Sequence, residues 1–473
     1  MSDSFDFVVI GGGSGGYAAA RTAHELGMKT AVIDGAETLG GLCILRGCMP
    51  SKTLIESSNR FRSMRRGAEF GLHAENLAID SRKIVARKRE LIGEFAEYRQ
   101  EQLADERFEL IRGTAAFVDS HTLEVSLRGS GEKRTVSFRS AVIATGSNVT
   151  RIPLEGLEET GYWISDDVLE AEEIPDSIIV LGGGAIALEM ACYLEGLGKE
   201  VTVIQRSPHV LTGSDFDVAE AVEGALRERD NFSLFTGTTL KRAFVDEETG
   251  RKAVVFDHGD EEKIVFADQI LQALGRSANS AVVQPENAGV ETNRSGKIVC
   301  SPTQATSAPH IYAAGDVCGP YEIVHIAIEQ GEIAAHNAAV QLGFSKDAPQ
   351  EIDYRLRLYG IFTDPPVGMV GMTELEAQEK GIPHAAATYP FDDHGKSMVM
   401  GETHGFVKMI AHTETGEILG AAVIGPEAVE LIHELVVAMH FRSTTAEFLK
   451  IPHYHPTLSE IWSYPAEDLL FSD

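Results

Sequence analysis

The strongest chemical signal in the chain is a cysteine pair in the run Gly40-Gly41-Leu42-Cys43-Ile44-Leu45-Arg46-Gly47-Cys48-Met49-Pro50-Ser51-Lys52. Its C-x4-C spacing differs from the C-x2-C of zinc ribbons and thioredoxin-type motifs, and no second Cys/His pair lies nearby to complete a metal site. Two thiols at this separation can close into a small reducible ring that stores two electrons. The spacing alone would favour two small buried hydrophobes. What favours redox chemistry is the sequence just ahead of the pair.

There, the apolar run Phe5 to Ile10 leads into Gly11-Gly12-Gly13-Ser14-Gly15-Gly16, a helical stretch from Tyr17 to Leu26, and a second apolar run, Lys29 to Asp34. This is a strand, a glycine turn, a helix and a strand. Gly11, Gly13 and Gly16 fit G-x-G-x-x-G, which lets a pyrophosphate approach backbone N–H groups at a helix N-terminus, and Asp34 can accept a ribose hydroxyl. The pattern returns at Ser177 to Leu181, Gly182-Gly183-Gly184-Ala185-Ile186-Ala187, a helix through Leu197, and Glu200 to Ile204. Here Ala187 holds the third glycine position and Gln205-Arg206 replaces a strand-end acid. Arg206 can meet a 2'-phosphate, favouring NADP(H) over NAD(H), or it can be a solvated turn residue.

Two fingerprints imply two nucleotides. Between them Ala141 to Ser147, with Thr145 and Gly146, reads as a strand entering a tight turn, and Ile311 to Asp316 reads as a related strand-turn after the second fingerprint. The first domain is therefore expected to resume after the second ends, and an αβ mixture from about Gln350 is expected as a separate third domain.

The chain has 473 residues, 43% hydrophobic and 24% charged, a length that suits about three domains of roughly 100 to 200 residues each. Its 41 Lys plus Arg against 71 Asp plus Glu leave a formal charge of -30, a field that repels phosphate backbones and anionic lipid headgroups. Nucleic acid and membrane are thus disfavoured as partners. No run approaches the ~20 apolar residues of a membrane span, and Asp3 and Asp6 stand where a secretory signal would be basic. A cytoplasmic location is expected. Five cysteines are too few to staple such a chain, and Cys192, Cys300 and Cys318, without close partners in sequence, are expected to be structural or incidental.

These motifs, in this order, resemble the class I pyridine nucleotide-disulfide oxidoreductases, the flavoenzyme family of dihydrolipoyl dehydrogenase, glutathione reductase and mercuric reductase. The likeness covers essentially the whole chain. It implies that the first fingerprint binds FAD, that Cys43 and Cys48 are the redox disulfide, and that the second fingerprint, Gly182, Gly184 and Ala187, binds the nicotinamide nucleotide. Asp316, in Ala313-Ala314-Gly315-Asp316, matches the family's contact to the ribityl chain. Ala273 to Asn279, with Gly275 and Arg276, matches its A-x-G-R-x-x-N segment. Lys52 matches the lysine near the flavin ring and Glu189 the glutamate it pairs with. Gly41, Thr145, Gly146 and Gly275 join the expected cofactor contacts.

His455-Pro456-Thr457-Leu458-Ser459-Glu460 resembles the family's H-P-T-x-x-E box, which comes from the partner subunit and places a His-Glu pair over the reactive thiol. Dithiol exchange needs a base with a pKa near neutrality, and a carboxylate to fix its tautomer. His455 and Glu460 take those roles by resemblance, while His453 is expected to pack or lie at the surface. The implied mechanism passes hydride from nicotinamide to FAD and electrons to Cys48. Cys43 becomes the interchange thiol, and the reverse sequence oxidises a dithiol.

The chain departs from the family at Leu42, Leu45 and Arg46, where G-G-T-C-x-N-x-G-C is common. Arg46 can lower a thiol pKa, meet an anionic substrate, or point to solvent. Ala185, Ala187-Leu188-Glu189 and Arg206-Ser207 are similar to mercuric reductases, whose C-terminal cysteine pair is missing from Leu469-Leu470-Phe471-Ser472-Asp473. The resulting expectation is an α/β protein with two Rossmann-like domains and a C-terminal α+β dimerisation domain. Residues 1–147 and 276–347 form the FAD domain, 148–275 the NAD(P) domain, and 348–473 the interface domain. The function expected is that of a homodimeric FAD- and NAD(P)-linked disulfide oxidoreductase, acting on a small dithiol or lipoyl-protein like dihydrolipoyl dehydrogenase. The alternative is an NADPH-dependent reductase of another small disulfide or of a metal ion. No resident metal is expected.

Overall fold

The computed structural model describes residues 3–471 and folds as two compact units. Ser472 and Asp473, the end of the cysteine-free C-terminus, lie outside the described residues.

The first unit contains residues up to Thr53, then Val85–Thr150 and Gly275–Asp353. Its sheet has strand Asp3–Ile10 at the centre, parallel to Thr30–Asp34 on one side and to the end of Lys133–Ile143 on the other, with Ile311–Ala313 beyond. Glu109–Asp119 extends the sheet past Thr30–Asp34, then turns into an antiparallel meander through Thr122–Leu127 to Lys133–Ile143. The first strand is apolar on both faces because both are buried. Phe5, Val8 and Ile10 join one core cluster, and Phe7 and Val9 join another, as central parallel strands require.

Helix Ser14–Glu25 packs against helix Val324–Leu342 through small residues, Ala19, Ala20 and Ala23 against Ala334, Ala335, Ala338 and Ala339. The backbones come so close that a Cβ on Gly331 would overlap the Gly15 carbonyl. A short antiparallel pair, Ser147–Val149 with Arg276–Ala278, joins the two places where the chain leaves and re-enters this unit.

The second unit contains Leu54–Ile84, Arg151–Leu274 and the chain from Tyr354. A parallel sheet runs in the order Gln269–Gln272, Ser177–Leu181, Glu200–Ile204, Phe232–Phe235, accompanied by an antiparallel sheet of Thr238–Val245, Lys252–His258 and Glu261–Ala267. The C-terminal segment forms an antiparallel sheet in the order Leu358–Ile361, Val367–Gly371, Ile418–Ile424, Phe406–His412, His384–Pro390. Helix Ala428–His440 covers it with Ile432, Leu435 and Met439, beside the buried Trp462.

Two ion clusters, centred on the buried Lys408 and Glu195, stitch this unit. Lys408 Nζ lies 3.1 Å from Asp215, 2.9 Å from Asp217 and 2.7 Å from Glu374. Arg62 and Arg229 both meet Glu195, at 3.0 and 2.6 Å, and Asp364, at 3.1 and 2.6 Å. These contacts, and Leu54 and Ile55 packed among Leu188, Met190 and Leu194, place the C-terminal segment and Leu54–Ile84 in the same compact unit as the second glycine turn.

Candidate functional site

The cysteine pair is positioned by two helices. Gly41–Arg46 carries Cys43 and Cys48–Arg65 begins at Cys48. Both residues are half-buried and neither is in a disulfide. Their thiols hydrogen-bond to each other, and that bond, with burial and the charge of a Cys48 thiolate, holds the Cys43 thiol far above its ordinary value, against the opposing pull of Lys52 and Arg99. A negative charge on either sulfur thus makes ionisation of the other harder. Arg46 is exposed at the end of its helix.

Arg99 was not legible in the sequence. It lies on helix Ser81–Ala104 with its guanidinium 4.1 Å from the ring centroid of Tyr17, and its buried Nε and Nη1 have no hydrogen-bond partner. Arg107 donates to the Tyr17 hydroxyl at 3.2 Å, and Arg21 pairs with Glu332 at 2.5 Å. Of these cations, Arg99 acts on Cys43 together with Lys52.

The first glycine turn abuts the cysteine loop, where a Cβ on Gly41 would lie 2.6 Å from the Gly13 Cα. Gly11 has φ +106°, and a Cβ on Gly16 would overlap the Gly11 carbonyl. These positions leave room only for backbone, which is what a pyrophosphate cradle needs. Asp34 caps the turn, one oxygen accepting from Gly12 N at 2.8 Å and the other from Ala36 N at 2.8 Å.

Across the same unit, Thr145 Oγ donates to the Asn279 carbonyl at 2.8 Å, and Asn279 N donates to the Gly146 carbonyl at 2.9 Å. Gly275 accepts from Thr150 N at 3.0 Å. Arg276 Nε donates to Ser147 Oγ at 2.8 Å, and that hydroxyl donates to Asp316 at 2.6 Å. The two strand-turns that the sequence showed separately are one hydrogen-bonded group, with Ser147 as the missed link. The residues present fit a bound dinucleotide with an acid at each end, Asp34 and Asp316.

In the second unit Gly182 repeats the strain of Gly11, with φ +118° and no space for a Cβ beside the Ala273 carbonyl. Gly184 caps the helix Ala185–Gly196, on which Ala187 and Glu189 are buried. Glu189 accepts from Phe362 N at 3.0 Å. Arg206, just past strand Glu200–Ile204, is exposed, while Gln205 is buried and donates to the His209 carbonyl at 3.3 Å.

The His455 side chain is 79% exposed, and its Nδ1 lies 3.1 and 2.9 Å from the two oxygens of Glu460, which is 13% exposed. A carboxylate in this position favours the Nδ1–H tautomer, with the lone pair on Nε2. Behind Glu460 stands a residue the sequence did not reveal. His394, fully buried, lies 3.6 Å from Glu460 through Nε2 and bonds Ser397 Oγ at 2.9 Å through Nδ1. Burial holds His394 below its ordinary value, against the pull of Glu460. His453 is half-buried and pairs with Glu434 at 2.7 Å.

The sequence matches the pyridine nucleotide-disulphide oxidoreductase family over residues 5–331, and that family's dimerisation domain over residues 359–465. The chain belongs to this family. It is 33% identical over 462 residues to a dihydrolipoyl dehydrogenase of Bacillus subtilis (strain 168), covering 98% of this chain and 96% of that one. It is 34% identical over 468 residues to the dihydrolipoyl dehydrogenase of Chlamydia muridarum, covering 98% and 97%. Among solved structures, the HOCl-induced flavoprotein disulfide reductase RclA from Escherichia coli, as a Cu(II) complex, superposes with a TM-score of 0.85 at 26% identity, covering 99% of both chains. The protein is an FAD-dependent disulfide oxidoreductase of mixed α/β architecture, and its dimerisation domain supports a homodimer. Among the described residues, no helix is long and apolar enough to cross a membrane.

The remaining cysteines divide into a single residue and a neighbouring pair. Cys192 is buried and solitary, but the thiols of Cys300 and Cys318 are hydrogen-bonding neighbours. They are 18 residues apart in sequence, so no local motif announces the pair.

Proposed function

We propose that the protein catalyses dithiol–disulfide exchange on a lipoyl-type substrate, with one subunit supplying Cys43 and Cys48 and the other supplying His455 and Glu460. The carrying observation is the pair of half-buried thiols, Cys43 and Cys48, set against each other. The exposed imidazole, held by Glu460, supports it. His455 Nε2 removes a substrate thiol proton while Glu460 steadies the imidazolium. The substrate thiolate attacks Cys43 Sγ of the Cys43–Cys48 disulfide and Cys48 leaves as thiolate. The second substrate thiol then displaces Cys43, so the substrate is oxidised and the pair reduced by two electrons.

Gly11, Gly13, Gly16, Asp34, Gly41, Lys52, Thr145, Gly146, Gly275 and Asp316 would hold FAD, with Glu189 beside the nicotinamide path. Bound FAD would supply the two-electron link between the nicotinamide and the thiol pair. Gly182, Gly184 and Ala187 would bind the nicotinamide nucleotide, and Arg206 favours NADP(H). The domain division runs as 1–147 with 276–347 for FAD, 148–275 for NAD(P) and 348–473 for dimer contacts. The reducible pair suits the cytosol.

A second reading has its own observations. Arg99 with unpartnered donors beside the interchange thiol, and the exposed Arg206, favour an NADPH-dependent reductase of an anionic disulfide. The similar E. coli protein was solved with Cu(II), which makes a metal ion a further acceptor to assay. Steady-state turnover of dihydrolipoamide with NAD+ and with NADP+, side by side on FAD-loaded protein, decides between them. Rapid turnover with either upholds the lipoyl reading, and the faster nucleotide reports on Arg206. No turnover with either, together with NADPH oxidation driven by a carboxylate-bearing disulfide, transfers the assignment to the second reading.

A further inference from the structure

Cys300 and Cys318 belong to no step above, yet the fold of the first unit brings them together. Ile298 N donates to the Val317 carbonyl at 2.9 Å, so the strand-like segment carrying Cys300 runs beside the turn carrying Cys318. The two side chains pack in the same apolar cluster. Cys300 is half-exposed and Cys318 is buried.

We infer that Cys300 and Cys318 form a second oxidisable thiol pair, which a peroxide closes to a disulfide and which thereby loosens the FAD-binding turn at Asp316. The Cys300 thiolate attacks one peroxide oxygen and becomes a sulfenic acid, releasing the first water. The Cys318 thiol then attacks the sulfenic sulfur and releases the second. Two thiols have lost two electrons and two protons, and one hydrogen peroxide has become two waters.

The order of attack follows from the surroundings. The hydrogen bond from Cys318 draws the Cys300 thiol below its ordinary value, while the same bond and burial hold Cys318 well above it. An accessible, acidified cysteine next to a buried resolving cysteine is the arrangement of redox-sensing pairs. Cys192, by contrast, is fully buried, with its thiol pushed up to about 11 by burial, and serves as an internal control.

The coupling to FAD runs through the turn itself. Cys318 Sγ lies 3.3 Å from the Gly315 carbonyl and 3.9 Å from Gln330 Oε1. That same Gln330 oxygen accepts from Gly315 N at 2.7 Å, and Gln330 Nε2 donates to the Gly319 carbonyl at 2.7 Å. The Cys318 thiol is thus one of the contacts fixing the Gly315–Val317 turn on which Asp316 stands. Drawing Cys318 toward Cys300 removes those contacts. This last step rests on the proposed FAD role of Asp316, whereas the disulfide itself does not.

The test uses full-length protein carrying Cys43→Ser and Cys48→Ser, which leaves Cys192, Cys300 and Cys318. After hydrogen peroxide, the remaining thiols are alkylated and the digest is mapped by mass spectrometry. The expected result is a Cys300–Cys318 cross-linked peptide, reversed by dithiothreitol, with Cys192 still alkylatable. Cys300→Ser in the same background, with an unchanged circular dichroism spectrum, loses the cross-link. Alkylated Cys300 and Cys318 after oxidation, or Cys300 found only as sulfinic acid, overturns the proposal. FAD release, followed by its fluorescence, is expected to be several-fold faster after oxidation and to lose that acceleration in Cys300→Ser. A cross-link that leaves FAD release unchanged overturns the coupling to Asp316. No readout depends on turnover, so failure here is distinct from failure of the proposed substrate.

Discussion

The thiol pair of the first unit and the imidazole of the second solve complementary problems in opposite ways. Cys43 and Cys48 are half-buried, bonded to each other and set near the cations of Lys52 and Arg99. His455 is largely open to solvent, and only its Nδ1 is tied down, by a shielded carboxylate. Electron storage calls for two sulfurs held together in a site that stabilises one negative charge. Proton transfer calls for a base with a nitrogen open to a substrate thiol. On the proposed reading neither half is complete alone. Val437, Phe441 and Tyr454, on the same C-terminal segment as His455, are exposed apolar side chains of the kind an interface covers.

Breaking the sulfur half should give the largest effect. Cys43→Ser lowers disulfide turnover by roughly 10³-fold or more, since the residual rate has no covalent route, while ferricyanide reduction by NADPH is retained. Loss of both activities contradicts the assigned order of the two cysteines. On the imidazole side, Glu460→Gln costs about 10²-fold in kcat, because general acid–base catalysis contributes on that scale and the wrong tautomer forfeits much of it. An unchanged kcat would reduce Glu460 to a structural partner of His394.

Arg99→Gln sharpens the comparison by asking what the local positive charge is for. If it meets an anionic substrate group, kcat/KM for a carboxylate-bearing disulfide falls about 10-fold, since a charge-assisted hydrogen bond is lost, while the value for neutral lipoamide stays. An equal fall for both would make Arg99 a partner of Cys43 alone.

The smallest effect is on stability. Burial lowers the pKa of His394 from its ordinary 6.5, so the unfolded chain takes up this proton first as pH falls, and the folded state loses stability as pH drops below about 6.5. His394→Gln should flatten that acid-side slope in denaturant titrations and leave stability at pH 8 nearly unchanged. A slope identical to that of the unaltered protein would remove His394 from the account.

Much of this was legible in the sequence because the signals are local. The two glycine turns, the C-x4-C run and the His455–Glu460 box each lie within a short stretch of chain, and the glycines are required by backbone geometry that any reader of φ can anticipate. The strand-end difference between Asp34 and Gln205-Arg206 is local too.

What was not legible depends on contacts between distant segments. Arg99 reaches Tyr17 from another helix, and Ser147 joins Arg276 to Asp316. His394 stands behind Glu460 only because strands His384–Pro390 and Phe406–His412 pair. Cys300 and Cys318 lie in a cysteine-poor chain at a spacing that matches no motif. The packing of the C-terminal sheet segment into one compact unit with the second glycine turn also depends on such contacts, among them Lys408 buried against Asp215 and Asp217. A lysine in a strand gives no sign of that in sequence.

Thiols and imidazole are proposed to come from different subunits, and hybrid dimers test this most directly. One subunit carries Cys43→Ser with its own His455, the other carries His455→Gln with its own Cys43, and differently tagged copies are co-expressed and purified through both tags. Each parent homodimer is inactive in disulfide exchange. With two-fold symmetry the hybrid contains one wholly intact site and one doubly defective site, so about half the unaltered dimer's turnover is expected. A hybrid as inactive as its parents would show that Cys43 and His455 act within a single chain, and the shared-site account would be wrong.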